Sequence, residues 1–488
     1  MMRSQRTMVQ KMMIMLTLSI YVVVIANHYL GWQLLGLTPQ MLSMIGIFIS
    51  SLLLWLFVAI DWPSLLCLLG MAVLPEVGFS TILPLSFGNV TFAFLFFTFI
   101  LTYALDQTNF IKRVTGKALH SKWAQQSPWA LMVAFYSVML LISSVISPTI
   151  LFMIAYPIYE EICAQFHFEK GNRNASMMLV ALFSTIAIGT AMTPINHVFA
   201  ITAMGLYNNA FDTEITSLAY MQMAVPVGLA IFLILLASLK WLWRLDLSSV
   251  NLATFETLSD VPPATKREKW IVSLFMMVVV CWIAPEMLAK IWPALAAFSK
   301  SVGIAFPPLL GIVLLAIITS NGEPLLDISK AIREGVHWPS LLLVSATLAL
   351  GSMIAREDSG IVALLNNVMT PVLANLPATM VVLIFVLWAG LQTNVSSNLV
   401  TVSVVTPIAI ALAQSNASFA ANPAIIACFI GFMASMALMT PPAMPYVAIS
   451  VGSNWVSARQ AFLYGLWMVF ISVVMCMVIG YPIGNMIF

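Results

Sequence analysis

Solid apolar runs of helical length, such as 272–284 and 466–481, recur along this chain and limit what it can fold into more than any other feature. A bilayer core leaves no water for backbone N–H and C=O groups, so only helices and closed barrels can span it. Barrel strands alternate apolar and polar residues over about ten positions. These runs do not alternate, and they predict helices. Composition agrees. Charged residues make up 8% of the chain and hydrophobic ones 61%, whereas a soluble domain carries about 25% charged residues to cover its surface. The expected fold class is therefore an all-α polytopic membrane protein, with the lipid bilayer as its main partner.

The same numbers exclude other classes. A net charge of +2 without a basic patch gives nothing to hold a phosphate backbone, so no nucleic acid partner is expected. The five cysteines (Cys67, Cys163, Cys281, Cys428, Cys476) sit in or beside apolar runs with no paired spacing, which suggests neither a disulfide framework nor a zinc site. The basic start (Arg3, Arg6, Lys11) leads into an apolar run without a clean small-residue cleavage site, and reads as a first membrane helix and not a removed signal.

Spans are predicted at about 12–36, 40–60, 62–76 and 88–106, followed by a basic amphipathic surface helix over 106–126. An apolar stretch, 127–165, is interrupted at 143–149 by Ser143-Ser144-Val145-Ile146-Ser147-Pro148-Thr149 and reads as a re-entrant hairpin. A span over 175–207 is interrupted from Gly189 to Asn196. Further helices are expected at 218–243, 270–290, 303–320 and 338–354, with an amphipathic stretch at 323–337 and a second surface helix at 357–375. A second hairpin, 376–414, breaks at Gln392–Asn398; a span over 422–451 breaks at Thr440-Pro441-Pro442; the last span is 459–487. This gives about 11 transmembrane helices plus two re-entrant hairpins. Threaded with a cytoplasmic N-terminus, the layout leaves only Lys290, Lys300 and Arg356 of the 20 Lys and Arg outside, as the positive-inside rule requires, and puts the C-terminus outside.

The order of features in the first half recurs in the second. Ser147 and Ser397 each precede a proline, Pro157 and Pro407, by ten positions; Thr193-Pro194 follows Ser147 by 46 and Thr440-Pro441 follows Ser397 by 43. An odd number of crossings separates the units, which gives them opposite orientation, the inverted-repeat pattern of secondary transporters with sites at the midplane. Single breaks in membrane helices often serve only packing or kinking; four breaks in matching register point to a site. The chain divides accordingly into 1–126 (scaffold and surface arm), 127–243 (first transport half), 244–375 (linker, scaffold, second arm) and 376–488 (second transport half).

At these breaks the chain resembles the divalent anion/sodium symporter family. The resemblance runs from about Phe87 to the C-terminus and is clearest at His337-Trp338-Pro339-Ser340-Leu341-Leu342-Leu343, at Leu350-Gly351 and at Thr440-Pro441-Pro442. The family's Ser-Asn-Thr tips match Ser147-Pro148-Thr149 and Ser397-Asn398-Leu399, each with one departure. Its Thr-Pro loops match Thr193-Pro194-Ile195-Asn196 and Thr440-Pro441-Pro442-Ala443. The resemblance implies an elevator-type homodimer in a bacterial cell membrane that carries a small anion, such as a di- or tricarboxylate or sulfate, by sodium symport or anion exchange. It implies substrate contacts from Ser147, Thr149, Thr193, Pro194, Asn196, Ser397, Asn398, Thr440, Pro441 and Pro442. It implies one sodium site on Ser143, Ser147, Pro148 and Gly189, and another on Thr393, Ser396 and Asn398.

No Arg or Lys lies at the four breaks. An anion there would rest on hydroxyls, amides and helix N-termini, and sodium on oxygen ligands, as hard cations prefer. Pro148 lacks both a side-chain oxygen and an N–H, which damages the first sodium set; Leu399 removes a hydroxyl from the second tip. These departures keep sulfate or a monocarboxylate, with proton coupling, as the alternative cargo. His197, one residue after Asn196, is a packed histidine or a proton or charge site in place of the lost ion. The remaining histidines read as interfacial, and Glu160-Glu161 as solvated charge. An enzyme would need converging ionisable groups or metal ligands inside the membrane, and a channel rings of identical filter elements; neither pattern is present, and apart from the coupling ion no cofactor is expected.

Overall fold

The structure is a computed structural model that describes residues 7–31, 37–195, 197–248, 250, 252, 261–356, 360, 361, 364, 376–415, 421–441 and 443–488. Asn196, Pro442 and most of the expected surface helix at 357–375 lie outside the described residues.

The chain is helical almost throughout, as its apolar runs require. Among the described residues seven helices are long and apolar enough to cross a membrane, and three bent pairs bring the number to as many as ten. The bends explain where the expected spans differ. The span expected at 88–106 is Val90–Asp106, preceded at 50° by the short helix Gly78–Leu85; Phe306–Ile317 is preceded at 81° by Pro293–Val302. In both pairs proline and glycine stand at or near the joint, at Pro84 and Gly88, and at Gly303 and Pro307. The amphipathic stretch at 323–337 shortens to Ile328–Glu334, bent by 76° into Trp338–Ile354.

The basic surface helix forms over Phe110–Leu119, and Ala124–Gln126 adds a 3₁₀ turn. Its amphipathic sequence would not hold it in place alone. Arg113 does so across the fold: its guanidinium pairs with the buried Glu268 carboxylate (Nη2 to Oε2, 3.0 Å) and donates to the Pro262 carbonyl at 2.8 Å.

The centre of the molecule is a span without lipid contact. Every residue from Ala175 to Met192 is buried, whereas only 17% of the corresponding window in Met8–Leu30 is. A helix buried all round needs small or apolar residues on every face, and 175–192 supplies Ala, Ser, Gly and Met among its bulkier residues. Against this helix pack the first hairpin, 128–165, and the second broken span, 423–452, which carry two of the breaks predicted from sequence.

Candidate functional site

The first hairpin runs in over Pro128–Ser143 and out over Pro148–Gln165; the second runs in over Ala378–Val395 and out over Asn398–Ser415. The first broken span consists of Arg173–Met192 and Val198–Ala210, the second of Pro423–Ala434 and Pro445–Gly452. The interruption expected from Gly189 thus starts later, at Thr193, since nothing at Gly189 stops an α-helix that Thr190 and Ala191 continue. The second is longer than expected and begins at Ser435.

Unwinding a helix in an apolar setting orphans its amides and carbonyls, and each break meets that cost differently. At the second break the incoming arm of the second hairpin supplies the partners. Thr393 donates its hydroxyl to the Ala434 carbonyl at 2.9 Å. Asn394, buried, donates its side-chain NH₂ to the carbonyls of Gly390 (2.8 Å) and Met436 (2.9 Å). Its side-chain oxygen accepts the amides of Leu438 (2.8 Å) and Met439 (2.7 Å). All four hydrogen-bonding positions of the amide are filled. Thr440 then donates to the Asn394 backbone carbonyl.

The first break repeats one of these contacts: Thr193 donates its hydroxyl to the backbone carbonyl of Ser144. Ser144 and Asn394 each stand three residues before their tip serine, so the two Thr-Pro loops are tied to matching points of the two hairpins. The side chains differ. Ser144 turns back to the Leu141 carbonyl of its own helix at 2.7 Å. Orphan acceptors are met from elsewhere, as when Tyr220 donates to the Ala191 carbonyl at 2.7 Å. Close packing also contributes, because a Cβ on Gly189 would sit 1.9 Å from Ser143 Oγ and 2.5 Å from the Leu140 carbonyl oxygen.

The two breaks adjoin. Gly431, one turn before the second break, backs onto Ala200, three residues after His197; a Cβ at Gly431 would lie 2.9 Å from the Ala200 Cα. The predicted residues fall on these elements as follows. Ser143 meets Gly189. Ser147 and Thr149 lie half-buried at the first tip, where Pro148 occupies the first position of the outgoing arm. Proline fits there because that N–H has no helical partner in any case, so the departure from the Ser-Asn-Thr pattern costs the fold nothing while it removes a donor from the tip. Asn398 occupies the matching place in the second hairpin. It is buried, and its side-chain NH₂ has no partner among the described residues. Ser397 is half-buried and accepts the Thr401 amide at 2.9 Å. Pro194, Thr193 and Pro441 lie in the loops themselves. Among the described residues Thr393, Ser396 and Asn398 are not hydrogen-bonded to one another: Thr393 faces Ala434, and Ser396 donates to Gln392 at 3.0 Å.

No charged side chain stands at the breaks. The local fields are those of the helix N-termini at 148, 198 and 398, which favour negative charge. His197 is buried against the Ser143–Ser144 backbone, and among the described residues neither ring nitrogen has a partner in hydrogen-bonding geometry. Among the described residues no group of three His, Cys, Asp or Glu could hold a metal ion.

Three features escaped the sequence reading. Asn394 lay inside a recognised break, and its position three residues before the tip serine was the available signal. Glu160 is not simply solvated: it accepts the indole N–H of Trp455 at 3.0 Å, and the Trp455 carbonyl accepts Ser176 Oγ at 2.7 Å. Residues this far apart in sequence gave no sign of meeting. Nor is His28 merely interfacial, since its Nε2 pairs with Glu76 at 3.0 Å.

Residues 45–431 match the citrate transporter family, CitMHS. Curated relatives agree in kind. The sodium-dependent dicarboxylate transporter SdcS of Staphylococcus aureus strain bovine RF122 / ET3-1 is 25% identical over 479 residues, covering 92% of this chain and 88% of that protein. SdcS of strain MRSA252 is 25% identical over 481 residues with the same coverage.

Proposed function

Since this chain belongs to the citrate transporter family, and is thus a membrane transporter and not an enzyme, we propose that it carries small di- or tricarboxylates by secondary active transport, with the cargo bound between the two hairpin tips. The observation that carries this reading is the Asn398 side chain: a buried NH₂ that has no partner among the described residues, at a helix N-terminus, beside breaks whose sequences hold no Arg or Lys. A buried donor left unpaired costs about 1–3 kcal/mol, and a carboxylate oxygen would satisfy it. Hydroxyls of Ser147, Thr149 and Ser397 would share that role, with Thr440, Pro194 and Pro441 shaping the loops.

Sodium coupling is the favoured driving force, as the name of the SdcS relatives suggests. The oxygen-rich second tip, with Thr393, Ser396 and Asn398, is the candidate ion site. The first set, Ser143, Ser147 and Gly189, lacks the amide that Pro148 replaces, so at most one sodium moves per cycle. Uptake of succinate and citrate into proteoliposomes, titrated with sodium, tests this: saturable, accumulating uptake with a Hill coefficient near one is expected. No uptake of either acid would refute the cargo, and a coefficient of two or more would refute the stoichiometry.

Pro148 and the buried, apolar Leu399 favour one second reading, sulfate or a monocarboxylate as cargo with protons as the coupling ion. His197 would then be the group that titrates. Sulfate or lactate uptake with a pH profile flattened in His197→Gln would support it.

The matching Thr193–Ser144 and Thr440–Asn394 contacts support an inverted-repeat transporter in which each hairpin travels with its Thr-Pro loop as an elevator, 127–243 and 376–488 moving against the scaffold in each subunit of a homodimer. Cysteines at Asn209 and Ser121 should be labelled from outside and inside respectively; labelling of Asn209 from the cytoplasm alone would overturn that orientation.

A further inference from the structure

We infer that Asn394 is a positioning residue: it locks the second hairpin and the second Thr-Pro loop into one preformed half-site, so that Asn398 and Thr440 keep their relative places before any ligand arrives. The kinetic part of this inference rests on the transport reading above; the structural part does not.

The argument starts with the backbone. Pro423–Ala434 ends at Ala434, and ten residues pass before the next helix begins at Pro445. Had the helix continued, the amides of Leu438 and Met439 would have bonded to the carbonyls of Ala434 and Ser435. Instead they bond to Asn394 Oδ1, at 2.8 and 2.7 Å, and the Ala434 carbonyl bonds to the Thr393 hydroxyl at 2.9 Å. Two adjacent side chains of the hairpin thus stand in for part of the missing helical ladder. The orientation of the Asn394 amide is fixed by its surroundings, since two N–H groups face its oxygen and two carbonyls, those of Gly390 and Met436, face its nitrogen. Four residues beyond Asn394, across the tip, stands Asn398, whose side-chain NH₂ is buried and unpaired among the described residues. The network therefore ends four residues before Asn398, on the near side of the hairpin tip, and Thr440 closes it from the loop side through the Asn394 carbonyl. Ser144, the matching residue of the first hairpin, makes no such side-chain contact with its loop; its hydroxyl serves only the Leu141 carbonyl among the described residues.

Asparagine is the residue that this place requires. Aspartate would still accept from Leu438 and Met439 but would turn a carboxylate oxygen toward the carbonyls of Gly390 and Met436. Leucine has a similar volume and would take their side-chain partner from the Leu438 and Met439 amides and from the Met436 carbonyl.

Two measurements on the full-length protein decide the matter. Hydrogen–deuterium exchange needs no ligand: the amides of Leu438 and Met439 should be protected in the wild type and exchange at least tenfold faster in Asn394→Leu. Unprotected amides in the wild type would overturn the inference. Succinate and citrate uptake then separates positioning from simple stabilisation. In folded Asn394→Asp and Asn394→Leu, KM should rise at least tenfold with a smaller change in maximal rate. Because Asn394 acts through Asn398, adding Asn394→Asp to Asn398→Ala should raise KM less than twofold further. An unchanged KM in the folded variants, or effects that multiply in the double variant, would reduce Asn394 to a structural residue. Should Asn394→Leu not fold, Asn394→Ser carries the same comparison. If the wild type takes up neither acid, the cargo assignment fails, while the exchange experiment still tests the lock and the KM series is run with the anion that raises the melting temperature most.

Discussion

The two tips share a skeleton and differ in how they are held. In both, the threonine of a Thr-Pro loop donates to the carbonyl three residues before the tip serine. At the second tip a fully bonded asparagine joins hairpin to loop, and the next asparagine, Asn398, on the far side of the tip, keeps a buried side-chain NH₂ unpaired among the described residues. At the first tip hydrogen bonding gives way to packing: Ser143 presses on Gly189, Ser144 serves its own helix, and Pro148 withdraws a donor. The lesson is that one backbone design can be stabilised by two kinds of force, and that each leaves a different residue indispensable.

The contrast can be broken by mutation. The largest effect should come from Gly189→Ala. Its Cβ would overlap Ser143 Oγ and the Leu140 carbonyl oxygen, and backbone cannot swing aside. Overpacking of this kind costs about 1–3 kcal/mol or more, and thermal unfolding of the purified protein should show it as a drop in Tm. Gly390→Ala, at the second hairpin, meets the end of the flexible Met433 side chain at 2.7 Å and should be tolerated much better. Equal losses would mean that packing does not distinguish the tips.

Next comes Asn398→Ala, expected to lower transport at least tenfold, or about 1.4 kcal/mol, with the folded protein intact. Near-normal uptake would remove the second tip from the site. Pro148→Asn sharpens the same point from the other side: it should raise the sodium Hill coefficient or lower the half-saturating sodium concentration if the first site fails only for want of an amide.

Smaller and symmetric losses are expected for Thr193→Val and Thr440→Val, each removing one hydrogen bond worth about 1 kcal/mol; a large difference between them in melting temperature would argue against matched roles. Ser144→Ala should change stability by less than about 0.5 kcal/mol, because its hydroxyl repeats a bond within its own helix. A Ser144→Ala variant as impaired as Asn394→Ser would erase the contrast altogether.

Much of this was legible in the chain. Apolar runs with so little charge admit only a helical membrane protein, because lipid satisfies no backbone group. The serine, proline and threonine clusters marked all four interruptions, since helix breakers act locally and need no tertiary context. The Ser147 and Ser397 registers exposed the repetition. What lay beyond reach was partnership. Asn394 reads in the sequence as one more polar residue in a break; only the folded chain brings it to Leu438 and Met439, more than forty positions away. Glu160 reads as surface charge until Trp455 arrives. Local sequence determines where a helix must stop, because propensity and missing N–H groups act over a few residues. Which groups then satisfy the stopped helix, and which amide is left over for a ligand, is decided by tertiary packing, because those hydrogen bonds join segments that the sequence keeps apart.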